Sequence, residues 1–225
     1  MDKNKKLVII GDGEFAEIAY EYFTYDSPYT VEAFAVEKQF ITQKSLFGLP
    51  VIAFEEMEQT YSTKEYEVFT AITFTNFNRV RTRLYNEAKR KGYSFASYIS
   101  SKAFVWRNAK IGENSFIFED NTIQYNVEIG NNVVLWSGNH IGHRTKIKDN
   151  SFISSHVVVS GYCEVGENSF LGVNSTFVNN VSIGKNSFVA AGALITKNYG
   201  DNLFLKGSPA KPDSKSSLEL FNIKE

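Results

Sequence analysis

The chain has 225 residues, 43% hydrophobic and 22% charged, enough to bury a core and carry one or two domains, which excludes a disordered chain. Lys and Arg number 24 against 25 Asp and Glu, a net charge of −1, so a nucleic-acid partner is a poor first expectation, and one cysteine, Cys163, excludes an internal disulfide framework or a cysteine-rich metal site. The apolar run Leu7–Ile10 is far shorter than a signal core or a membrane span, and 19 Phe and 12 Tyr beside 4 Pro favour strands, so the expectation is a soluble, cytoplasmic, strand-rich protein.

In chain order, Leu7–Ile10 reads as a fully apolar strand, and Phe15, Ile18, Ala19, Tyr22 and Phe23 follow helical spacing. Val31–Val36, Val51–Phe54 and Tyr66–Thr73 read as further strands, and Asn78–Lys91 as a helix with Val80, Leu84 and Ala88 inward. Strands alternating with helices predict a small parallel α/β domain over residues 1–97. Gly11-x-Gly-x-x-Ala16 on the first strand-to-helix turn lets backbone N–H groups approach a phosphate. Glu32 or Glu37 stands where an acidic residue would hold a ribose, which keeps a NAD(P) enzyme as an alternative, although the segment supplies only half of a dinucleotide fold. A nucleotide-sugar site needs only that half. Arg79, Arg81 and Arg83 are either phosphate ligands or a solvated helix face.

From Ile99 to Ile195 every sixth residue is aliphatic, with Phe177 the one exception. Four residues after each, the side chain is usually small or β-branched, as at Ser115, Val133, Thr145 and Cys163, with Asn121, Asn139 and Tyr199 breaking the pattern. Neither helical nor strand periodicity gives a period of six; a hexapeptide β-helix does, each rung being a short strand and a corner. An eighteen-residue step aligns Ile111-Gly-Glu-Asn-Ser-Phe116 with Ile129–Val134, Ile147–Phe152, Val165–Phe170 and Ile183–Phe188. It stacks Asn114, Asn132, Asn150, Asn168 and Asn186 in a column suited to left-handed turns. The same register puts Cys163 inward, where it makes a poor nucleophile, and His140, His143 and His156 outward. Phe116, Val134, Phe152, Phe170 and Phe188 also point outward, an apolar stripe expected to lie exposed at or beside a subunit interface.

With the glycine turn at Gly11, the coils, and Gly207-Ser-Pro-Ala-Lys211 near the end, the chain resembles the sialic-acid O-acetyltransferase type of hexapeptide-repeat sugar acyltransferase, the family that includes the bacterial nucleotide-amino-sugar N-acetyltransferases. The resemblance implies a mixed fold: an α/β, half-Rossmann-like nucleotide-sugar-binding domain over 1–97, a left-handed parallel β-helix over 98–199, and a C-terminal loop and tail over 200–225. It implies a cytoplasmic homotrimer with active sites between subunits, acetyl-CoA as co-substrate, and no metal. It places the family's catalytic histidine on His143, with His140 as the runner-up. Imidazole suits removal of a proton from an amine or hydroxyl near neutrality.

By the same matching, Phe152, Gly161, Val173, Ala191 and Lys211 fall where relatives meet the coenzyme, and Gly11, Gly13, Glu14, Phe15 and Glu37 where they meet the nucleotide sugar. His156 is placed to hydrogen-bond Asn174. Two departures from the family stand out. Arg144, not an acidic residue, follows the expected base, so a polarising carboxylate would have to come from Asp120, Glu128, Asp149 or a partner subunit. Phe152 replaces a coenzyme-contacting histidine.

The resulting expectation is acetyl transfer from acetyl-CoA to the amino group of a nucleotide-linked amino sugar by direct attack, in the making of a surface glycan such as lipopolysaccharide O-antigen or capsule. A sugar O-acetyltransferase of the same fold is the close alternative. A non-catalytic hexapeptide scaffold or binding module is the alternative from another class.

Overall fold

The computed structural model describes residues 2–224, and the chain divides into two compact units. The first comprises the residues up to Thr73 together with Val80–Tyr98; the second comprises Phe74–Arg79 together with the residues from Ile99 onward.

The first unit is built on strands β1 (Lys5–Ile10), β2 (Tyr29–Val36), β3 (Ser45–Leu46), β4 (Leu49–Ala53), β5 (Tyr66–Thr70) and β6 (Ser94–Phe95). Helices α1 (Glu14–Tyr25), α2 (Met57–Thr60) and α3 (Arg79–Arg90) connect them. The sheet order is β3-β4-β2-β1-β5-β6, parallel except for the β3–β4 hairpin. Leu7, Val8, Ile9 and Ile10 are buried, as a central parallel strand covered on both faces requires. Phe15, Ala16, Ala19 and Phe23 form the buried stripe of α1, and Leu84 and Ala88 face inward from α3, with Val80 half-buried. The β3–β4 turn carries Phe47 and Gly48 at φ 51° and 76°, a combination that matches the strands' twist. Phe47 tolerates this backbone while its ring stacks on Tyr20 at 4.5 Å.

In the second unit the six-residue period becomes two-residue strands that stack, eighteen residues apart, into three parallel sheets. One runs from Phe116–Ile117 through Val134–Leu135, Phe152–Ile153 and Phe170–Leu171 to Phe188–Val189, and is extended after a shorter step by the longer strand Leu203–Lys206. The second runs from Phe104–Val105 through Thr122–Ile123, His140–Ile141, Val158–Val159 and Thr176–Phe177 to Leu194–Ile195. The third runs from Lys110–Ile111 to Ser182–Ile183. The aliphatic column, including Ile117, Ile123, Leu135, Ile141 and Ile153, fills the axis. Each such side chain removed from water contributes up to about 1.5–3 kcal/mol.

The corner asparagines occupy left-handed backbone, with φ between 52° at Asn114 and 63° at Asn150. Asn114 Nδ2 donates to Asn132 Oδ1 at 2.7 Å, and Asn132 Nδ2 to Asn150 Oδ1 at 2.8 Å, so the column is a hydrogen-bonded ladder there. At its far end Asn186 Nδ2 donates to Asn202 Oδ1 at 2.8 Å. Asn121 and Asn139, which break the small-residue pattern, turn inward, and the Asn121 Oδ1 is buried without a hydrogen-bond partner. Both donate to the Trp136 carbonyl, and Asn139 Oδ1 accepts from Val157 N.

The phenylalanine stripe departs from expectation. Its residues do point away from the coil axis, yet Phe116, Val134, Phe152 and Phe170 are at most 8% exposed. The chain covers them itself. Phe74 packs 4.7 Å from Phe170 and 5.5 Å from Phe152, while Phe77 and Phe221 stack on each other at 5.0 Å beside Phe188. Asn76, Phe77 and Asn78 are all left-handed, with φ of 49°, 51° and 66°, which turns this segment onto the coils. Asn78 Nδ2 donates to the carbonyls of Asn168 and Ser169, and Arg79 Nη2 to Asn186 Oδ1 at 2.9 Å. The C-terminal segment, expected as a loop and tail over 200–225, forms within its described residues strands Leu203–Lys206 and Lys211–Ser216, antiparallel to each other, and helix α4 (Ser217–Leu220), opened by a capping box at Ser216 and Glu219. Outward from the coil axis is therefore not outward from the protein, and the stripe is no evidence for a subunit interface.

Candidate active site

His143 lies on the corner that follows the second sheet, and its imidazole is exposed. Its main chain is fixed on both sides: its N–H donates to Gln124 Oε1 at 2.9 Å, and its carbonyl accepts from Tyr162 N at 2.9 Å. The ring lies over Gly161, one coil further on, where a Cβ would fall 2.5 Å from Cε1 and 2.7 Å from Nε2. The Tyr162 ring meets the imidazole edge-on, with centroids 5.1 Å apart. His143 is thus flanked from the coils on either side while remaining exposed.

Arg144 is left-handed, φ 59°, and its guanidinium lies over two aromatic rings, 5.5 Å from Tyr125 and 5.8 Å from Tyr162. The cation that follows His143 in the chain is thus occupied by ring faces. Two of the three proposed polarising carboxylates are engaged elsewhere. Glu128 pairs with Lys110 and Lys146, and Asp149 Oδ1 accepts from Asn131 N at 2.8 Å. Among the described residues no carboxylate bonds to His143. His140 stands half-buried in the second sheet between Thr122 and Val158. His156 does not bond Asn174; its ring lies against Gly138, whose φ of 77° and missing Cβ leave room for it. Cys163 is buried, and burial pushes its thiol up from the ordinary value, as the inward register implies.

The expected coenzyme positions are dispersed. Gly161 shares the corner of His143, and its N–H donates to Asn179 Oδ1 at 2.9 Å. Val173 and Ala191 are exposed on the corner leading into the second sheet, so the face carrying His140 lies between the two sets. Lys211 is exposed on the C-terminal hairpin, beside the Gly207–Pro209 loop. Phe152 does not join them, since its ring is stacked on Phe170 and covered by Phe74, which leaves it no open face for a coenzyme.

At the other candidate site, Gly11 ends β1 with φ 119°, and its N–H donates to the Ala35 carbonyl. Gly13 caps α1 with no side-chain hydrogen bond, and Gly13 and Glu14 are exposed at the helix start. Phe15 is buried against Phe69, so only its main chain is available to a ligand. Glu37 is not free for ribose hydroxyls: Arg83 Nη1 and Nη2 reach its two oxygens at 3.0 and 2.8 Å. The strand order reverses at β1 and β5, so the crevice at their carboxyl ends, beside Gly11, is where an open α/β sheet takes a ligand.

Tyr125, Tyr162, Gln124 and Asn179 were not singled out from the sequence. The eighteen-residue columns Arg107–Tyr125–His143–Gly161–Asn179 and Asn108–Asn126–Arg144–Tyr162–Asn180 carry the signal, because aromatic and cationic residues there interrupt runs of asparagine and glycine.

Residues 108–143, 126–161 and 162–197 match the bacterial transferase hexapeptide family (six repeats). No curated protein matches the chain by sequence. Among solved structures, perosamine N-acetyltransferase from Caulobacter crescentus, a histidine-to-asparagine variant in complex with CoA and GDP-perosamine, is 25% identical over 93% of this chain and 97% of that one, with a TM-score of 0.82. The acetyltransferase domain of PglB from Neisseria gonorrhoeae shares the fold at 24% identity over 93% and 100% of the two chains, with a TM-score of 0.83, and is also known in complex with acetyl coenzyme A. WeeI from Acinetobacter baumannii shares it at 18% identity, over 93% and 100%, with a TM-score of 0.79. The fold is thus a small α/β unit followed by a left-handed parallel β-helix. Residues 108–197 thus carry the repeats of the bacterial transferase hexapeptide family, and the chain shares the two-part architecture of these solved structures.

Proposed function

We propose that the chain transfers an acetyl group from acetyl-CoA to the amino group of a nucleotide-linked amino sugar, with His143 as general base, in the making of a surface glycan. The observation that carries this reading is the fixed, exposed imidazole of His143, on a fold shared with an enzyme whose structure holds CoA and GDP-perosamine. The amine must lose a proton as it attacks the thioester carbonyl, and an imidazole within reach accepts it; the thiolate then leaves. A base of this kind contributes about 10²–10⁴-fold. Attack is direct in this reading, because Cys163 is buried and offers no acyl acceptor.

The nucleotide diphosphate is assigned to the Gly11–Gly13 turn, where the start of α1 has no side-chain cap. The coenzyme is assigned to Val173, Ala191 and Lys211, which are exposed where Phe152 is not, and to Gly161, which lies under the His143 ring. We further propose a cytoplasmic homotrimer in which the exposed apolar residues of the coils, including Tyr125, Tyr162 and Val158, face a neighbouring copy. His140 remains the alternative base.

The test is thiol release from acetyl-CoA in the presence of UDP-, GDP- and dTDP-linked 3- and 4-amino sugars, with the product weighed by mass spectrometry. N-acetylation of one of them is expected. Acetylation of a hydroxyl instead favours the O-acetyltransferase reading, and failure to bind acetyl-CoA by calorimetry favours a scaffold.

A further inference from the structure

Three arginines alternate along the start of α3, and each has a different occupation. Arg79 bonds Asn186, and Arg83 bonds Glu37 and Glu87. Arg81 is fully buried, and its Nη1 lies 3.4 Å from the Ile72 carbonyl oxygen and 3.2 Å from that of Thr73. Burial pulls its pKa down to about 9, which leaves it charged at neutral pH. Burying a charge costs several kcal/mol, and an apolar side chain of similar volume would fill the same space without that cost. Packing alone therefore does not account for the guanidinium.

What Arg81 grips is the segment leaving β5. That segment forms one wall of the crevice at the strand-order reversal. Ala71 N donates to the Ile10 carbonyl at 2.8 Å, and a Cβ on Gly11 would fall 2.9 Å from the Ala71 oxygen and 3.1 Å from Ile72 Cδ1. The glycine turn and the Ala71–Thr73 segment are thus in van der Waals contact. One nitrogen, Nη1, reaches both carbonyls, and the rigid planar guanidinium that carries it fixes the course of that wall more firmly than the flexible stem of a lysine would.

We propose that Arg81 is a positioning residue for the nucleotide sugar: by holding the Ile72 and Thr73 carbonyls, it sets the β5 wall against the Gly11–Gly13 turn and so fixes the width of the crevice that takes the diphosphate. The inference rests on the assignment of that turn to a nucleotide diphosphate. A site misplaced by a fraction of an ångström loses affinity without any contact being deleted.

The experiment is two-substrate kinetics on the full chain with Arg81→Lys and Arg81→Met, folding being checked by circular dichroism. The KM for the nucleotide sugar is expected to rise about tenfold in Arg81→Met and less in Arg81→Lys, while kcat at saturation and the KM for acetyl-CoA stay within about twofold. An unchanged KM for the nucleotide sugar overturns the inference, as does a parallel rise for both substrates, which marks a purely structural role. Should the variants not fold, hydrogen exchange on the wild-type chain decides. The nucleotide sugar is expected to protect amides at both 11–16 and 71–74, and protection of the first alone overturns the inference. A wild-type chain that binds no UDP-, GDP- or dTDP-linked sugar overturns the assignment on which the inference stands, a failure distinct from wild-type binding that Arg81→Met leaves unaltered.

Discussion

His143 and Gly161, eighteen residues apart, form a ring-on-backbone contact in which the imidazole occupies the space a Cβ would take, 2.5 Å from Cε1. Gly161 has an ordinary backbone conformation, so the contact with the ring is what requires glycine there. Gly161→Ala is expected to push the imidazole aside and lower kcat by about 10²-fold. Overpacking should cost about 1–3 kcal/mol of stability in the wild-type background and little in a His143→Ala background, where the space is free. Equal losses in both backgrounds, read from urea unfolding, would separate the two residues.

Tyr162 meets the His143 ring edge-on and, with Tyr125, holds the Arg144 guanidinium. Both functions use the ring and not the hydroxyl. Tyr162→Phe should therefore retain activity, whereas Tyr162→Ala should release both neighbours and reduce kcat about tenfold, an interaction of about 1 kcal/mol being at stake in each contact. Matching losses in the Phe and Ala variants would assign the role to the hydroxyl instead.

The covered phenylalanine column makes a prediction about stability. Phe170 lies between Phe152 at 5.6 Å and Phe188 at 4.8 Å, under Phe74 at 4.7 Å. Phe170→Ala should destabilise the chain by about 3–5 kcal/mol in urea unfolding while leaving its mass in light scattering unchanged. Dissociation without loss of protomer stability would return the column to a subunit interface.

That column also shows where the sequence was legible and where it was not. A period of six is a local signal repeated through the coils, so the axis-filling residues and the corner asparagines could be read directly. The cover could not, because Phe74 and Phe77 come from outside the repeat and Phe221 from a segment read as a tail. Their approach depends on three consecutive left-handed residues, of which only Asn76 and Asn78 carry a compositional hint. At the site, the histidines were readable from register, whereas the company they keep lies one coil away. Arg83 and Glu37 stand 46 residues apart, with nothing in either neighbourhood to announce their pairing.

Two tyrosines of the first unit are expected to limit its stability at alkaline pH. Burial, with the negative charge of Glu58, pushes the Tyr93 phenol up to about 12, while burial and the hydrogen bond to Glu67 raise Tyr29 as well. A pKa raised on folding gives stability that is complete below the unfolded value near pH 10 and is lost as pH rises toward the folded value. Spectrophotometric titration should show these phenolates appearing together with loss of circular dichroism. Titration of every tyrosine near pH 10 with the fold intact would contradict the assignment.

The most direct measurement is single-turnover acetyl transfer by wild type and His143→Ala, with acetyl-CoA and the accepted amino sugar bound at saturation. The account predicts that the variant binds both substrates and transfers at least about 10²-fold more slowly. Wild-type turnover by His143→Ala would contradict it and move the base to His140 or away from histidine altogether.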